Sequence, residues 1–171
     1  SLSHSARSTL YKCHRLYKYG YIEGVIPKNI SKPLRMGSAY SDGLEHWSTD
    51  AVDDYYAQWI LDATHANEVD WLTEELVVVR ALIDTYMQRA EQGEREVEFR
   101  FPNGDNGFID GRLDSRTLVE NKCKAQFTVH DVDALRMDGQ CTGYIAAQNE
   151  LEGVPVEEIT LYYDVAKTCM L

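Results

Sequence analysis

Apolar residues recur along this chain with two different periods, and the change falls near Gly93. Before it the spacing is helical. Leu10, Cys13, Leu16 and Tyr17 predict a helix from Leu2 to Tyr19, with Ser3 or Ser5 as its cap. Gly20 to Pro33 carries loop punctuation, and a second helix is expected from near Met36 through Leu44 to Trp47. Asp50 to Gln92 reads as two helices that break around Asn67. One holds Tyr55, Tyr56, Trp59 and Ile60, the other Leu72, Leu76, Val79, Leu82 and Ile83.

After Gly93, Val97, Phe99 and Phe101 alternate with Glu96, Glu98 and Arg100, as in a half-exposed strand. Pro102 to Gly107 reads as a turn. Phe108 to Leu113 and Arg116 to Lys122 read as two further strands. A helix is expected from Asp131 to Leu151, stopped by Gly153 and Pro155, and Ile159 to Val165 as a last strand. Helices, three strands, a helix and a strand predict an α/β (α+β) fold with a central mixed sheet flanked by helices. The length suits one domain over 1–171, with a mainly helical part at 1–93 and the sheet at 94–171.

No apolar run approaches the ~18 residues of a membrane span. Ser1 to Ser5 lacks the basic-then-apolar order of a signal peptide. The expected location is cytoplasmic, in a bacterial or phage-infected cell, with no membrane contact. Charge complicates the choice of partner. The net value is −11, which by itself argues against a general nucleic-acid binder. Yet residues 1–36 carry +6 and the remainder −17, so a basic head sits on an acidic body. Cys13, Cys123, Cys141 and Cys169 form no C-x-x-C pair, which disfavours a zinc knuckle and fits a reduced protein. His14, His46, His65 and His130 show no metal-ligand spacing.

The most informative stretch runs from Gly107-Phe108-Ile109-Asp110 to Val119-Glu120-Asn121-Lys122. Glu120 and Lys122 are two apart and project from one face of a strand, while Asp110 sits on the neighbouring strand. Two carboxylates converging there suit Mg²⁺ or Mn²⁺, which take hard oxygen ligands. A lysine beside them can orient a water or stabilise developing charge, as metal-assisted phosphodiester hydrolysis requires.

These residues resemble the core signature of the PD-(D/E)XK nuclease superfamily, within its RecB-type or phage-type exonuclease branch. Four other segments agree in order. They are Leu2 to Tyr19; Gly37-x-x-x-Ser41-x-x-Leu44-Glu45; Gln140-x-x-x-Tyr144; and Pro155 to Tyr163. Two departures stand out. Ser41 occupies a position where many relatives carry histidine. Only Cys13 and Cys169 lie near the positions of the cysteines of iron–sulfur relatives, so no such cluster is expected.

The resemblance implies a restriction-endonuclease-like core and roles for individual residues. Asp110, Glu120, Glu45 and the main-chain carbonyl of Asn121 would hold the metal, Glu45 directly or through water. Lys122 would position or activate the attacking water. Gln140 and Tyr144 would hold Lys122 or a DNA phosphate. Arg15, Lys18, Lys124 and Arg136 are candidate phosphate contacts. Tyr17, Tyr19 and Tyr21 are expected to pack in the core rather than stack on bases. The leading expectation is a metal-dependent DNA exonuclease of the recombination or repair type. The resemblance leaves room for a homo-oligomer and for a helicase or single-strand annealing partner. The rival readings are a nuclease-like module that binds DNA or protein without cutting, and an acidic DNA mimic.

Overall fold

Why the helices stop where they do explains much of the architecture. A computed structural model describes residues 3–25, 27, 30–135 and 138–168; Arg136 and Cys169 lie outside the described residues. Helix α1 (His4–Lys12) starts with the Ser3 side chain accepting from the Ala6 N–H. It ends at Cys13, whose backbone is extended (φ −161°, ψ 108°). A short helix α2 (His14–Tyr17) and a π-helical turn (Lys18–Ile22) follow. The continuous helix expected from Leu2 to Tyr19 is therefore broken. The reason is packing: neither α2 nor the π-helical turn buries a residue, so no neighbouring face rewards unbroken amphipathicity.

Helix α3 (Lys32–Glu45) begins earlier than expected, because Pro33 sits in its first turn, where the missing N–H costs nothing. Helices α4 (Thr49–Asp62) and α5 (Ala66–Met87) complete a three-helix layer. The break between them falls at residues 63–65, slightly before Asn67. The layer closes on Tyr40, Leu44, Val52, Tyr56, Val79 and Ile83. Each fully buried aliphatic side chain contributes about 1.5–3 kcal/mol. Gly43 marks the tightest crossing: a Cβ there would lie 2.8 Å from Val52 and 2.9 Å from Ile83.

The sheet order is β1 (Glu94–Arg100), β2 (Asn106–Asp114), β3 (Thr117–Lys124), β4 (Thr160–Lys167). The first two pairings are antiparallel and β3–β4 is parallel. The parallel pair needs a long crossover. Helices α6 (Val129–Leu135) and α7 (Gly139–Glu152) provide it, where a single helix is expected from sequence. The division has a local cause: Asp138 caps α7, its Oδ1 accepting from the Gln140 N–H at 2.7 Å. Gly153 in the left-handed region (φ 67°) ends it.

Helices thus flank a mixed sheet on both sides, consistent with the expected fold class. Cys123 and Ala166 pack against the three-helix layer. Ile109, Leu118, Tyr144, Ala147 and Ile159 make a second core under α7. The face of β3 carrying Leu118, Glu120 and Lys122 is the one that meets α7.

Candidate active site

Antiparallel pairing of β2 with β3 sets Gly111 against Val119, which leaves Asp110 beside Glu120 at the next step of the ladder. Asp110 Oδ2 accepts from the Asn121 N–H at 3.0 Å. Its Oδ1 accepts from the Tyr144 hydroxyl at 2.7 Å. Gln140 continues the chain: its Nε2 donates to Tyr144 Oη at 2.7 Å, and its Oε1 accepts from Lys122 Nζ at 3.2 Å. One turn of α7 therefore links Lys122 to Asp110. The i, i+4 spacing of Gln140 and Tyr144 makes this reach achievable from one helix face.

Glu120 is fully buried. Its Oε1 forms an ion pair with Lys122 Nζ, yet neither carboxylate oxygen accepts a well-directed hydrogen bond. Burial, and then the nearby Asp110 charge, raise its pKa against the opposing pull of Lys122. Burial works against the charge on Lys122, but Glu120 and Asp110 outweigh it and the lysine pKa is raised. Lys122 is accordingly an ammonium at neutral pH. Burial is the main reason that the Tyr144 pKa is raised, followed by Asp110, so its hydroxyl stays a donor.

Behind the carboxylates, on the other face of β3, the Asn121 side chain is clamped. Its Oδ1 accepts from Arg95 Nη1 at 2.8 Å and its Nδ2 donates to Tyr86 Oη at 3.2 Å. The Arg95 guanidinium lies 5.0 Å from the Trp47 ring centroid and 5.5 Å from that of Tyr86. This clamp fixes the peptide whose N–H holds Asp110. Arg95, Tyr86 and Trp47 escape sequence reading because each resembles an ordinary half-buried packing residue.

Glu96 is the second omission. It sits on β1 between the pairs Arg95–Gly111 and Val97–Ile109, opposite Asp110, with a left-handed backbone (φ 49°) rare for glutamate. Burial, Asp110 and Glu45, in that order, push its carboxyl up to about 7. In the strand alternation Glu96 reads as solvent-facing, and only the backbone twist turns it inward.

Glu45, on the last turn of α3, is exposed. Its carboxylate lies within 4.8 Å of ligand atoms of Asp42 and His46. Among the described residues Glu45 does not share that spacing with Asp110 and Glu120. Its charge contributes, after burial and Asp110, to the raised Glu96 pKa. Ser41 is also exposed.

The candidate phosphate contacts separate. Arg15 stacks on Tyr19 at 5.6 Å, and Lys18 pairs with Glu23 at 3.2 Å while staying exposed. Lys124, the last residue of β3, pairs with Asp131 of α6 at 3.1 Å. Arg136 lies outside the described residues. The expectation that Tyr17, Tyr19 and Tyr21 enter the core is overturned. Tyr19 and Tyr21 are exposed, and Tyr17 stacks on Tyr21 at 5.5 Å in a segment with no buried residue.

A family model of the PD-(D/E)XK nuclease superfamily matches residues 1–166. The chain belongs to the PD-(D/E)XK nuclease superfamily. Membership suggests nuclease activity, with DNA as the implied substrate. PD-(D/E)XK nucleases usually use divalent metal ions. The donor set in this chain fits such an ion on its own chemistry. A fully buried carboxylate whose Oε1 is paired with Lys122 and whose Oε2 has no hydrogen-bond partner, beside a second carboxylate, is an arrangement that a hard cation would stabilise. No curated protein and no solved structure matches the chain. Among the described residues no helix is long and apolar enough to cross a membrane.

Proposed function

We propose that this chain is a Mg²⁺- or Mn²⁺-dependent deoxyribonuclease that hydrolyses phosphodiester bonds from DNA ends, in the manner of RecB-type exonucleases. The observation that carries the reading is the buried, hydrogen-bond-deficient Glu120 carboxylate beside Asp110 and Lys122. Asp110, Glu120 and the Asn121 carbonyl would hold the ion, with Glu45 and Glu96 at the rim. When bound, the ion supplies Lewis-acid stabilisation of charge on the phosphate and leaving oxygen.

The chain's own residues do the rest. Lys122, held as an ammonium, orients the attacking water and offsets charge on the non-bridging phosphate oxygens. It is not a free base at neutral pH, because Glu120 and Asp110 raise its pKa. Gln140 anchors Lys122 Nζ, and Tyr144 fixes the rotamer of Asp110. The water oxygen bonds to phosphorus and gives up one proton to solvent, the P–O ester bond breaks, and its electron pair leaves with the departing oxygen, which takes a proton from solvent.

A second reading is a nuclease-like module that binds DNA without cutting. It is favoured by the exposed Ser41 and by Glu45 grouping with Asp42 and His46 instead of with Asp110 and Glu120. Digestion of end-labelled linear DNA and closed circular DNA decides between them, with Mg²⁺ or Mn²⁺, an EDTA control and Lys122→Ala. Loss of linear DNA alone, abolished by EDTA and by the substitution, supports the exonuclease. Cutting of the circle replaces it with an endonuclease. No cutting of either DNA by folded protein leaves the binding module.

A further inference from the structure

The Asn121 side chain lies on the face of β3 opposite Glu120 and Lys122, yet three locally unfavourable features converge on it. The first is Trp47. It follows the last turn of α3, where the Ser48 N–H reaches back to the Gly43 carbonyl at 3.0 Å. Glycine usually fills the left-handed position of such a turn, and a bulky side chain is strained there. Trp47 occupies it with φ 49°. Its ring meets Tyr86 edge-on, the centroids 5.8 Å apart, and stacks against the Arg95 guanidinium at 5.0 Å.

The second is Arg95 itself. Its Nε is buried without a hydrogen-bond partner. Its hydrogen bonds among the described residues go to two neutral oxygens, Asn121 Oδ1 at 2.8 Å and Tyr86 Oη at 3.4 Å. A guanidinium taken out of water normally finds a carboxylate, as Arg35 finds Glu75. The third is Gly111. A Cβ there would lie 3.1 Å from Arg95 Nη1 and 3.3 Å from the Val119 Cβ, so the guanidinium crosses a strand position that carries no side chain. Strained backbone and unpaired polar groups persist where the surrounding structure enforces them, and they gather at functional sites. Here their common product is an Asn121 amide held at both ends, its Nδ2 donating to Tyr86 Oη at 3.2 Å. The N–H of that same residue holds Asp110 Oδ2 at 3.0 Å.

We propose that Arg95 is a positioning residue for the metal ion. Acting through the Asn121 side chain, it fixes the peptide whose carbonyl, and whose N–H partner Asp110, would hold the ion. Trp47 and Tyr86 carry this restraint from the helical layer to the sheet. The inference rests on the metal-dependent nuclease reading of the same site.

The sign of the effect separates positioning from charge. Arg95 adjoins Glu96 and bonds to the residue between Glu120 and Lys122. By charge alone, removing a cation so placed tightens binding of a divalent ion. By positioning, removing it weakens binding. Mn²⁺ titration calorimetry on the full chain without DNA reads the difference. Arg95→Met and Asn121→Ala should each weaken Mn²⁺ binding about 10- to 100-fold, the range for loss of a group that orients a metal ligand. The double variant should bind no worse than the weaker single variant, because both changes break one link. A merely structural role would make the losses add. Arg95→Lys, which keeps the charge but not the forked donor, should also weaken binding. Circular dichroism checks the fold, and if Arg95→Met does not fold, Asn121→Ala decides alone. Unchanged or tighter Mn²⁺ binding in either folded variant, or additive losses, overturns the proposal. The two readings fail separately. If the wild type binds Mn²⁺, the variants bind it weakly and no DNA is cut, the nuclease reading falls and this one stands. If the wild type cuts DNA and the variants bind Mn²⁺ equally well, this one falls alone. A wild type that binds no Mn²⁺ removes both.

Discussion

The Tyr144 hydroxyl donates to Asp110 Oδ1 at 2.7 Å, so a helix side chain holds the rotamer of a carboxylate on the sheet. The same oxygen of Tyr144 accepts from Gln140, whose amide also receives Lys122. Tyr144→Phe removes the donor and loosens both ends of the chain. Loss of a group that orients a metal ligand costs about 10- to 100-fold in affinity or activity. Mn²⁺ titration calorimetry and cleavage rates should both fall by that order, with the fold intact by circular dichroism.

Lys122→Met should lower cleavage by about 10²- to 10⁴-fold, the range for a positioned proton-handling or charge-stabilising side chain. Because Lys122 is engaged by Glu120 and Gln140, DNA affinity in EDTA should change little. A single-turnover rate measurement beside a binding isotherm separates the two effects.

Glu120→Gln should raise the stability of the metal-free protein while abolishing Mn²⁺ binding. A buried carboxylate without well-directed donors opposes folding when charged, and the amide removes that charge at nearly constant shape. Thermal melts at pH 8 with and without Mn²⁺ check it: the wild type gains melting temperature with the ion and the variant does not.

Stability of the metal-free protein should fall as pH rises from about 4.5 to about 7. Burial and neighbouring carboxylates raise Glu96 and Glu120 in the folded state to about 7. Over that window the native state holds more protons than the unfolded chain, so the free energy of unfolding declines with pH. His46, raised mainly by its contact with the Asp42 carbonyl, acts in the same direction. Mg²⁺ should therefore raise the melting temperature more at pH 8 than at pH 5.5. Glu96→Gln should flatten the metal-free profile.

Glu75→Ala should destabilise the helical layer by about 3–5 kcal/mol without altering Mn²⁺ affinity. Glu75 is buried and accepts from Arg35 through two bonds of 2.7 and 2.8 Å. Removing it strands a guanidinium that is itself mostly covered. Urea unfolding measures the loss.

Local chemistry carried the legible part of this fold. The change from helical to two-residue spacing at Gly93 located the strands, because amphipathic period depends only on which face each element buries. It failed in two places for opposite reasons. Leu2 to Tyr19 has a helical pattern, but the described residues His14–Ile22 bury no side chain, the helix breaks at Cys13, and Tyr19 and Tyr21 face solvent. Asp131 to Leu151 also looks continuous, but the Asp138 side chain caps a new start at Gly139.

The site divides along the same line. Asp110, Glu120, Lys122, Gln140 and Tyr144 were legible because strand alternation, hairpin pairing and i, i+4 spacing are set within short stretches of chain. Glu96, Arg95, Tyr86 and Trp47 were not. Their positions depend on a left-handed twist at Glu96 and on the docking of α3 and α5 against the sheet, contacts between residues tens of positions apart. The sequence by itself thus determined which polar groups share the β2–β3 hairpin and one face of α7. Only the tertiary structure decided that Glu120 is fully buried against Lys122, that Lys124 pairs with Asp131, and that Tyr19 and Tyr21 are exposed. Burial and long-range pairing are properties of the packed chain, and no local pattern encodes them.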